Sequence, residues 1–440
     1  MKYVEAQHTQ GLAIASTAAA ESNVDNSVNV TPHGAFGEVA RSFSQYSSYA
    51  DGGDPVVFVT DASTTFADSA DGVPMGPADA IRSVPRSRWD PDQSDSHVVE
   101  SRFGHFLSNT GDFDTTYFGS TAAEAVLMDP QQRLLLHQCN GPATTERIPD
   151  AHVGVYVAIS QFEYAIDVQN NGHFVAYAAT GTANSVACGR ISYTYNLSGP
   201  CTSVDTACSS ALVASHLLRK GVTGEECDQG IAAAVNLALS RHTSVMFVRA
   251  GMLNQDGRCK TLDASADGYV RQEACGVIAV TNANNMSEGA LRARYGEDRG
   301  GDSAVLCLLV SSSAVNQDGR SSSLTAPNGP SQQVLIGIAL EAGGVDPCDV
   351  VVLQMHGTGT SLGDPIEVGA ACDAYVQARG APLILNAVKS HMGHGETAAG
   401  LMGIWQAAAG LSSLRSFPLL HLRSLVEPLI LKPSTIVPIP

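Results

Sequence analysis

Three short stretches carry side chains able to do covalent chemistry. The first is VDTACSSALVASHLL, residues 204–218. Its pattern predicts a strand that runs into small residues and then a helix from Cys208 to Lys220. A thiol at a helix start meets unpaired N–H groups and the positive end of the helix dipole, and both favour the thiolate. Ala207, Ser209, Ser210 and Ala211 are small, so the turn can be sharp and leave room for a substrate, as at the nucleophile of acyl-transfer enzymes. The plainer reading is one more buried thiol among ten cysteines. The second stretch is QMHGTGTSLGDPIEVGA, 354–370. A buried strand ends at His356 and enters a loop rich in glycine and threonine, at the kind of sheet edge where α/β sites form. Alone, it could equally be a satisfied histidine in a tight turn. The third is NAVKSHMGHGETAAGLMG, 386–403. Lys389, one of five lysines, directly follows an apolar strand, and His394 precedes a helix of small residues. A lysine so placed needs an acidic partner or a shifted pKa, and His391 between them reads as a turn histidine. One thiol and two imidazoles at one sheet edge suit acyl transfer through a thioester, with the histidines stabilising a developing enolate.

These residues need elements to hold them. Continuous apolar runs at 55–60, 152–160, 231–239, 276–280, 305–315, 350–356 and 383–388 read as buried strands, and 201–207 as a further strand. Helical patterns lie at 124–138, broken early by Asp129-Pro130, and at 183–191, 332–342, 366–379 and 397–414. This alternation implies a parallel or mixed sheet covered on both faces. The pentapeptide NQDGR occurs at 254–258 and 316–320, which we read as two similar Asp-Gly turns rather than a repeat architecture.

Composition narrows the function classes. Of 440 residues, 44% are hydrophobic and 15% charged, a globular composition. The net charge of −18 leaves no basic stripe to neutralise phosphates, which argues against nucleic acid as a partner. No run of roughly 18 apolar residues predicts a membrane span. The N-terminal stretch, with one lysine ahead of Glu5 and no arginine before Arg41, makes a poor secretory or transit signal. Ten cysteines without a C-x-x-C pair suggest buried thiols in a reducing compartment, cytoplasm or organelle lumen, and no zinc site.

The three stretches together resemble the active-site blocks of β-ketoacyl synthases, closest to the ketosynthase domains of type I polyketide synthases and related fatty-acid synthases. DAIRSVPRSRWD, FDTTYFGSTAAEAVLMDPQQRLLL, YAATGTANSVACGRISYTYNLSGP, DGYVRQEACGVIAV and AVNQDGRSSSLTAPNGPSQQ extend the likeness, in the family's order, over about residues 55–428. The resemblance implies a thiolase-like α/β fold, two similar halves in five α-β-α-β-α layers, forming a homodimer. It divides the chain into a poorly defined N-terminal extension (1–54), an N-terminal half with the nucleophilic Cys208 (55–313), and a C-terminal half with both histidines and the lysine (314–440), without the family's last strand and gating loop. It implies a decarboxylative Claisen condensation in polyketide or fatty-acid biosynthesis. Cys208 accepts an acyl group from the phosphopantetheine of an acyl-carrier protein, and its N–H forms part of an oxyanion hole. His356 and His394 assist loss of CO2. Lys389, paired with Glu367, organises the site, and Thr358 and Thr360 support it. The partners are the carrier protein and neighbouring synthase domains, and neither a bound cofactor nor a metal is called for. The alternative is a structural or acyl-holding relative that does not condense. A thiolase would need a second catalytic cysteine near the C-terminus, whereas the last cysteine is Cys372.

Overall fold

The computed structural model describes residues 10–13, 57–65, 79–92, 101–144, 151–173, 175–282, 308–375, 381–413, 415–426 and 436–438. In chain order the elements are β1 (Gln10–Ala13), β2 (Val57–Thr65), β3 (Arg82–Ser83), β4 (Phe103–Gly104), α1 (Ala122–Leu127), α2 (Pro130–Thr144), β5 (Val153–Ala158), α3 (Glu163–Asn170), α4 (Ala176–Gly181), α5 (Asn184–Tyr195) and β6 (Cys201–Val204). There follow α6 (Ser210–Thr223), β7 (Gln229–Asn236), α7 (Arg241–Arg249), β8 (Ala274–Asn282), β9 (Leu308–Val310), β10 (Ser312–Val315) and α8 (Gly329–Gly343). The last are β11 (Val352–Gln354), α9 (Gly363–Tyr375), β12 (Leu383–Asn386), α10 (Lys389–Met392), α11 (Ala399–Ser413) and β13 (Ile436–Pro438).

Six strands form the main sheet in the order β6-β5-β7-β8-β2-β9. β5 runs parallel to β6 and β7, and the β7–β8, β8–β2 and β2–β9 pairs are antiparallel. Side chains alternate across a strand, and here both faces are buried. Val153, Val155 and Val157 of β5, with Ile231, Ala233 and Val235 of β7, pack on Leu135 and Leu136 of α2 and Ile191 of α5. Tyr156, Ala158, Ala232 and Ala234 face the opposite way, onto Ala211, Ala214 and Leu218 of α6 and Leu401, Met402 and Ile404 of α11. Each fully buried branched side chain contributes about 1.5–3 kcal/mol. A three-stranded parallel sheet, β11-β12-β13, lies beyond α11. Its far side carries α8 and α9 through Leu340, Met355, Val368, Ala371, Leu383 and Leu385. The layers are therefore helix, sheet, helix, sheet, helix.

Local chemistry sets the boundaries. The break expected at Asp129-Pro130 separates α1 from α2: the Asp129 carboxylate accepts the Gln131 N–H at 2.8 Å, and proline is at home in the first helical turn. Asn328 caps α8, accepting from Ser331 N at 3.3 Å, and Gly344 ends it in the left-handed region at φ 60°. The glycines of both NQDGR turns, Gly257 and Gly319, have positive φ.

Three expectations change. The run 305–315 is not one strand: β9 pairs with β2 and β10 with β1, so the chain passes from one sheet to another at Ser311. Helix α6 begins at Ser210, two residues after the expected start. Helices α3, α4, α7 and α10 and strands β1, β3, β4 and β13 were not placed by the sequence pattern. Residues 55–56, 305–307, 376–379 and Leu414, included in the expected elements, lie outside the described residues. Among the described residues no helix is long and apolar enough to cross a membrane.

Candidate active site

Cys208 lies in a 3-10 turn, Ala207–Ser209, between β6 and α6. Hydroxyls build that turn. Ser210 Oγ accepts from Thr206 N at 2.8 Å and donates to the Ala207 carbonyl at 2.7 Å. Ser209 Oγ donates to the Thr206 carbonyl at 2.7 Å. Ala207 takes φ 54°, a conformation that costs a non-glycine residue of order 1–3 kcal/mol. The sharp turn read from the small residues is therefore present, with the cysteine just ahead of the α-helix instead of within it.

His356 follows β11, and α9 fixes its backbone. The Glu367 carboxylate accepts the His356 N–H at 2.5 Å and the Gly357 N–H at 2.9 Å. Asp364, one turn earlier on α9, accepts from Leu262 N, Gly359 N and Thr360 N at 2.9, 3.2 and 3.3 Å. Thr360 Oγ1 accepts the Gly363 N–H at 3.1 Å and lies 3.5 Å from Thr358 Oγ1. Both threonines thus shape the loop that carries His356.

Lys389 is the first residue of α10, directly beyond β12, and is 4% exposed. His394 follows Gly393, whose φ is 86° and where a Cβ would stand 2.9 Å from the Val270 carbonyl oxygen. His394 N donates to Val270 O at 2.7 Å, and Gln272 N donates back to His394 O at 2.9 Å. His391 Nε2 meets the Pro418 carbonyl at 2.7 Å, the part of a turn histidine.

These segments converge. The Cys208 sulfur and one ring nitrogen each of His356 and His394 lie within 4.8 Å of one another. The two rings stand edge to face, 5.4 Å between centroids, and Tyr269 contacts His394 the same way at 4.8 Å. Burial, with the nearby positive charge of Lys389, pushes both imidazoles well below the usual histidine range. His356 nevertheless remains partly exposed. Burial lowers Lys389 as well, opposed by the charges of Glu367 and Cys208. Burial raises Glu367 against the N–H groups it accepts, and pushes Asp364 up to about 7. Lys389 and Glu367 interact through space; the Glu367 oxygens are engaged by backbone N–H groups, and the two residues form no ion pair within 4.0 Å among the described contacts.

A thiolate and two neutral imidazoles are donors of the type zinc takes. Burial and the Lys389 charge disfavour the protonated imidazoles, and that charge also opposes a dication at the same point. The arrangement suits an anionic or carbonyl oxygen next to a sulfur nucleophile.

Two family models cover most of the chain: "Beta-ketoacyl synthase, N-terminal domain" matches residues 75–285 and "Beta-ketoacyl synthase, C-terminal domain" matches 308–423. The chain belongs to the β-ketoacyl synthase family. It is 38% identical over 353 residues to one component of the phenolphthiocerol/phthiocerol polyketide synthase of Mycobacterium tuberculosis, an alignment spanning 77% of this chain and 18% of that one. It is 40% identical over 349 residues to a component of the pikromycin polyketide synthase of Streptomyces venezuelae, spanning 75% of this chain and 9% of that one. The ketosynthase therefore covers less than a fifth of either relative. An oxazolomycin ketosynthase domain from Streptomyces albus superposes with a TM-score of 0.77 at 27% identity, over 88% of this chain and 68% of that one. The ketosynthase from module 6 of the Bacillus subtilis bacillaene synthase gives 0.74 at 28% identity, over 87% and 66%. The fold is thus thiolase-like, as the motifs implied.

Sequence reasoning did not single out the buried charges behind the ketosynthase site. Arg271 Nε donates to Glu396 Oε1 at 2.6 Å, its other nitrogens reach Glu163 at 3.4 Å and Ser244 Oγ at 3.0 Å, and Gln161 donates to Glu396 at 2.6 Å. Arg88 clamps Glu273 at 2.7 and 2.8 Å. The available signal was a charged residue inside each of the blocks DGYVRQEACG and GHGETAAG.

Proposed function

We propose that this ketosynthase joins a Cys208-bound acyl chain to a malonyl-type extender by decarboxylative Claisen condensation. The Cys208 thiolate attacks the thioester of an acyl chain carried on the phosphopantetheine of a carrier protein; the acyl group moves to sulfur and the pantetheine thiol leaves. A malonyl thioester then enters. Its carboxylate departs as CO2 and the electron pair passes into an enolate, whose oxygen accepts hydrogen bonds from His356 and His394. The enolate carbon attacks the Cys208 thioester, a carbon–carbon bond forms, and the thiolate is released. The β-ketoacyl product stays on the carrier. Neutral imidazoles donate N–H groups without first having to lose a proton, and Lys389 adds a positive field where negative charge develops. The observation that carries this reading is the convergence of one sulfur and two imidazole nitrogens within 4.8 Å.

The names of the relatives favour a polyketide over a fatty acid as product, and their length favours work alongside neighbouring synthase domains. A reducing compartment fits the nine described cysteines, all of them thiols. We also assign a homodimer. The test is mass spectrometry of the intact protein after incubation with an acyl-carrier thioester and then with malonyl-carrier thioester. The expected result is one acyl group on Cys208, discharged as a carrier-bound chain two carbons longer. Acyl transfer without any CO2 release would leave an acyl-holding protein instead.

A further inference from the structure

His394 must aim a ring nitrogen at the enolate oxygen, yet among the described residues no side-chain hydrogen bond aims the ring. Its Nδ1 is buried without a hydrogen-bond partner, and its ring contacts are the edges of His356 and Tyr269. The ring's direction therefore depends on its backbone, which runs in a narrow frame. His394 is bridged to Arg271 as in a parallel ladder, through the bonds to Val270 O and from Gln272 N. Two residues later, Glu396 takes φ 44°, a left-handed conformation unusual for glutamate. Glu396 is held there by the Arg271 guanidinium at 2.6 Å and by Gln161 at 2.6 Å. Arg271 is itself anchored by Glu163, whose carboxylate accepts the N–H groups of Leu239 and Ser240 at 2.5 and 2.6 Å, and by Ser244 on α7. The segment around Arg271 thus holds the histidine's segment twice, once through the backbone of Val270 and Gln272 on either side of the arginine and once through the arginine's side chain.

We propose that the buried Arg271–Glu396 ion pair is the positioning element for His394, acting on decarboxylation and not on acyl loading. This rests on the condensing role argued above. Cys208 is set by its own hydroxyl-capped turn, so its acylation has no need of the pair.

The test uses Glu396→Gln and Glu396→Asp. The amide keeps the shape but places an N–H₂ against donors; the shorter acid keeps the charge but loses reach. In protein preloaded on Cys208, CO2 release from malonyl-carrier thioester should fall about 10–10²-fold in kcat, as expected for a displaced catalytic group, with KM and the rate of Cys208 acylation little changed. Labelled-histidine NMR should show the His394 ring nitrogens shifted in both variants. Should Glu396→Gln not fold, Gln161→Leu removes the neutral contact to the same carboxylate and should give the same split in smaller size. Unchanged decarboxylation with unchanged ring resonances overturns the proposal, and so does an equal loss of loading and decarboxylation. If the parent protein releases no CO2, the condensing reading fails, and the NMR comparison alone decides whether the pair positions the ring.

Discussion

Cys208 differs from the other described thiols in its surroundings. Burial pushes Cys188 and Cys227 up to about 11 and Cys259 up to about 12, so these stay protonated; Cys201 and Cys348 are exposed, whereas Cys208 lies in the turn just ahead of α6 and interacts with Lys389. Limiting alkylation at neutral pH should label Cys208 first, and peptide mapping that finds another cysteine labelled preferentially would overturn its assignment. In the proposed cycle the histidines act after acylation. Replacing either His356 or His394 by Ala should leave loading on Cys208 measurable and lower decarboxylation by about 10²–10³-fold, the usual worth of one oxyanion donor. Both histidines have folded-state pKa values below the ordinary one, so as pH falls they stay neutral through the range where a free imidazole protonates. An ordinary imidazole of pKa about 6.5 would be roughly three-quarters protonated near pH 6, and a site needing two neutral ones would lose more than about tenfold. Decarboxylation by preloaded protein should instead stay nearly level from pH 7.5 to 6. A steep acid limb in that window would show that the two imidazoles titrate normally.

The elements hold these side chains through backbone geometry, which makes a sharp contrast possible between two glycines of one region. Gly359, in the loop after β11, has φ 78°, and a Cβ there would stand 2.6 Å from Lys260 N. Gly369, on α9, is exposed and has nothing within 4 Å of its would-be Cβ. Gly369→Ala should stabilise the protein by about 0.4–1 kcal/mol by reducing the freedom of the unfolded chain. Gly359→Ala should destabilise it by more than that, and should also disturb the His356 loop that Asp364 and Thr360 organise. Denaturant titration of the two variants checks both signs. The proposed site residues were legible in the sequence because each lies in a short stretch after a strand: Cys208 after β6, His356 directly after β11, and Lys389 and His394 in the segment between β12 and α11, a local pattern. What escaped was non-local. Arg271 and Glu396 stand 125 positions apart, and neither signals the other. β10 pairs with β1 across some 300 residues, Gln10 opposite Val315, and a continuous apolar run cannot reveal that the chain changes sheets at Ser311. Helix α7, RHTSVMFVR, fully buries only Thr243 and Ser244 and packs Phe247 and Val248 partly buried against the core, so the apolar part of its inward face is too short to read as a stripe.

At the scale of the whole molecule, the main sheet ends, among the described residues, in a strand with one open side. β6 is the terminal strand in the order β6-β5-β7-β8-β2-β9, and Cys201 and Thr202 on it are exposed. An open edge is a template for pairing with another chain. The helix packed along it adds apolar surface: Ser192 of α5 touches Cys201 at 3.6 Å, and its neighbour Tyr193 is 89% exposed. Phe162, Ile166, Val175 and Tyr177 are large apolar side chains also left open, in α3, α4 and their connections. Single exposed apolar residues need no explanation, but an open edge beside an exposed aromatic is a surface suited to a partner. A second copy of the chain, as in the homodimer proposed above, would meet it without new chemistry, because a two-fold axis beside β6 would set the same edge against itself. The net charge of −18 works against that association, so the contact must depend on apolar burial and strand pairing, and salt should strengthen it by screening. Analytical ultracentrifugation should give a mass twice that of one chain, rising in population with salt. Tyr193→Asp places a charge in the contact and should shift the protein to single-chain mass, with an unchanged circular dichroism spectrum showing that the fold survives. A parent protein that sediments as one chain at all salt concentrations, or a Tyr193→Asp variant that stays fully dimeric, would place the partner of this edge elsewhere.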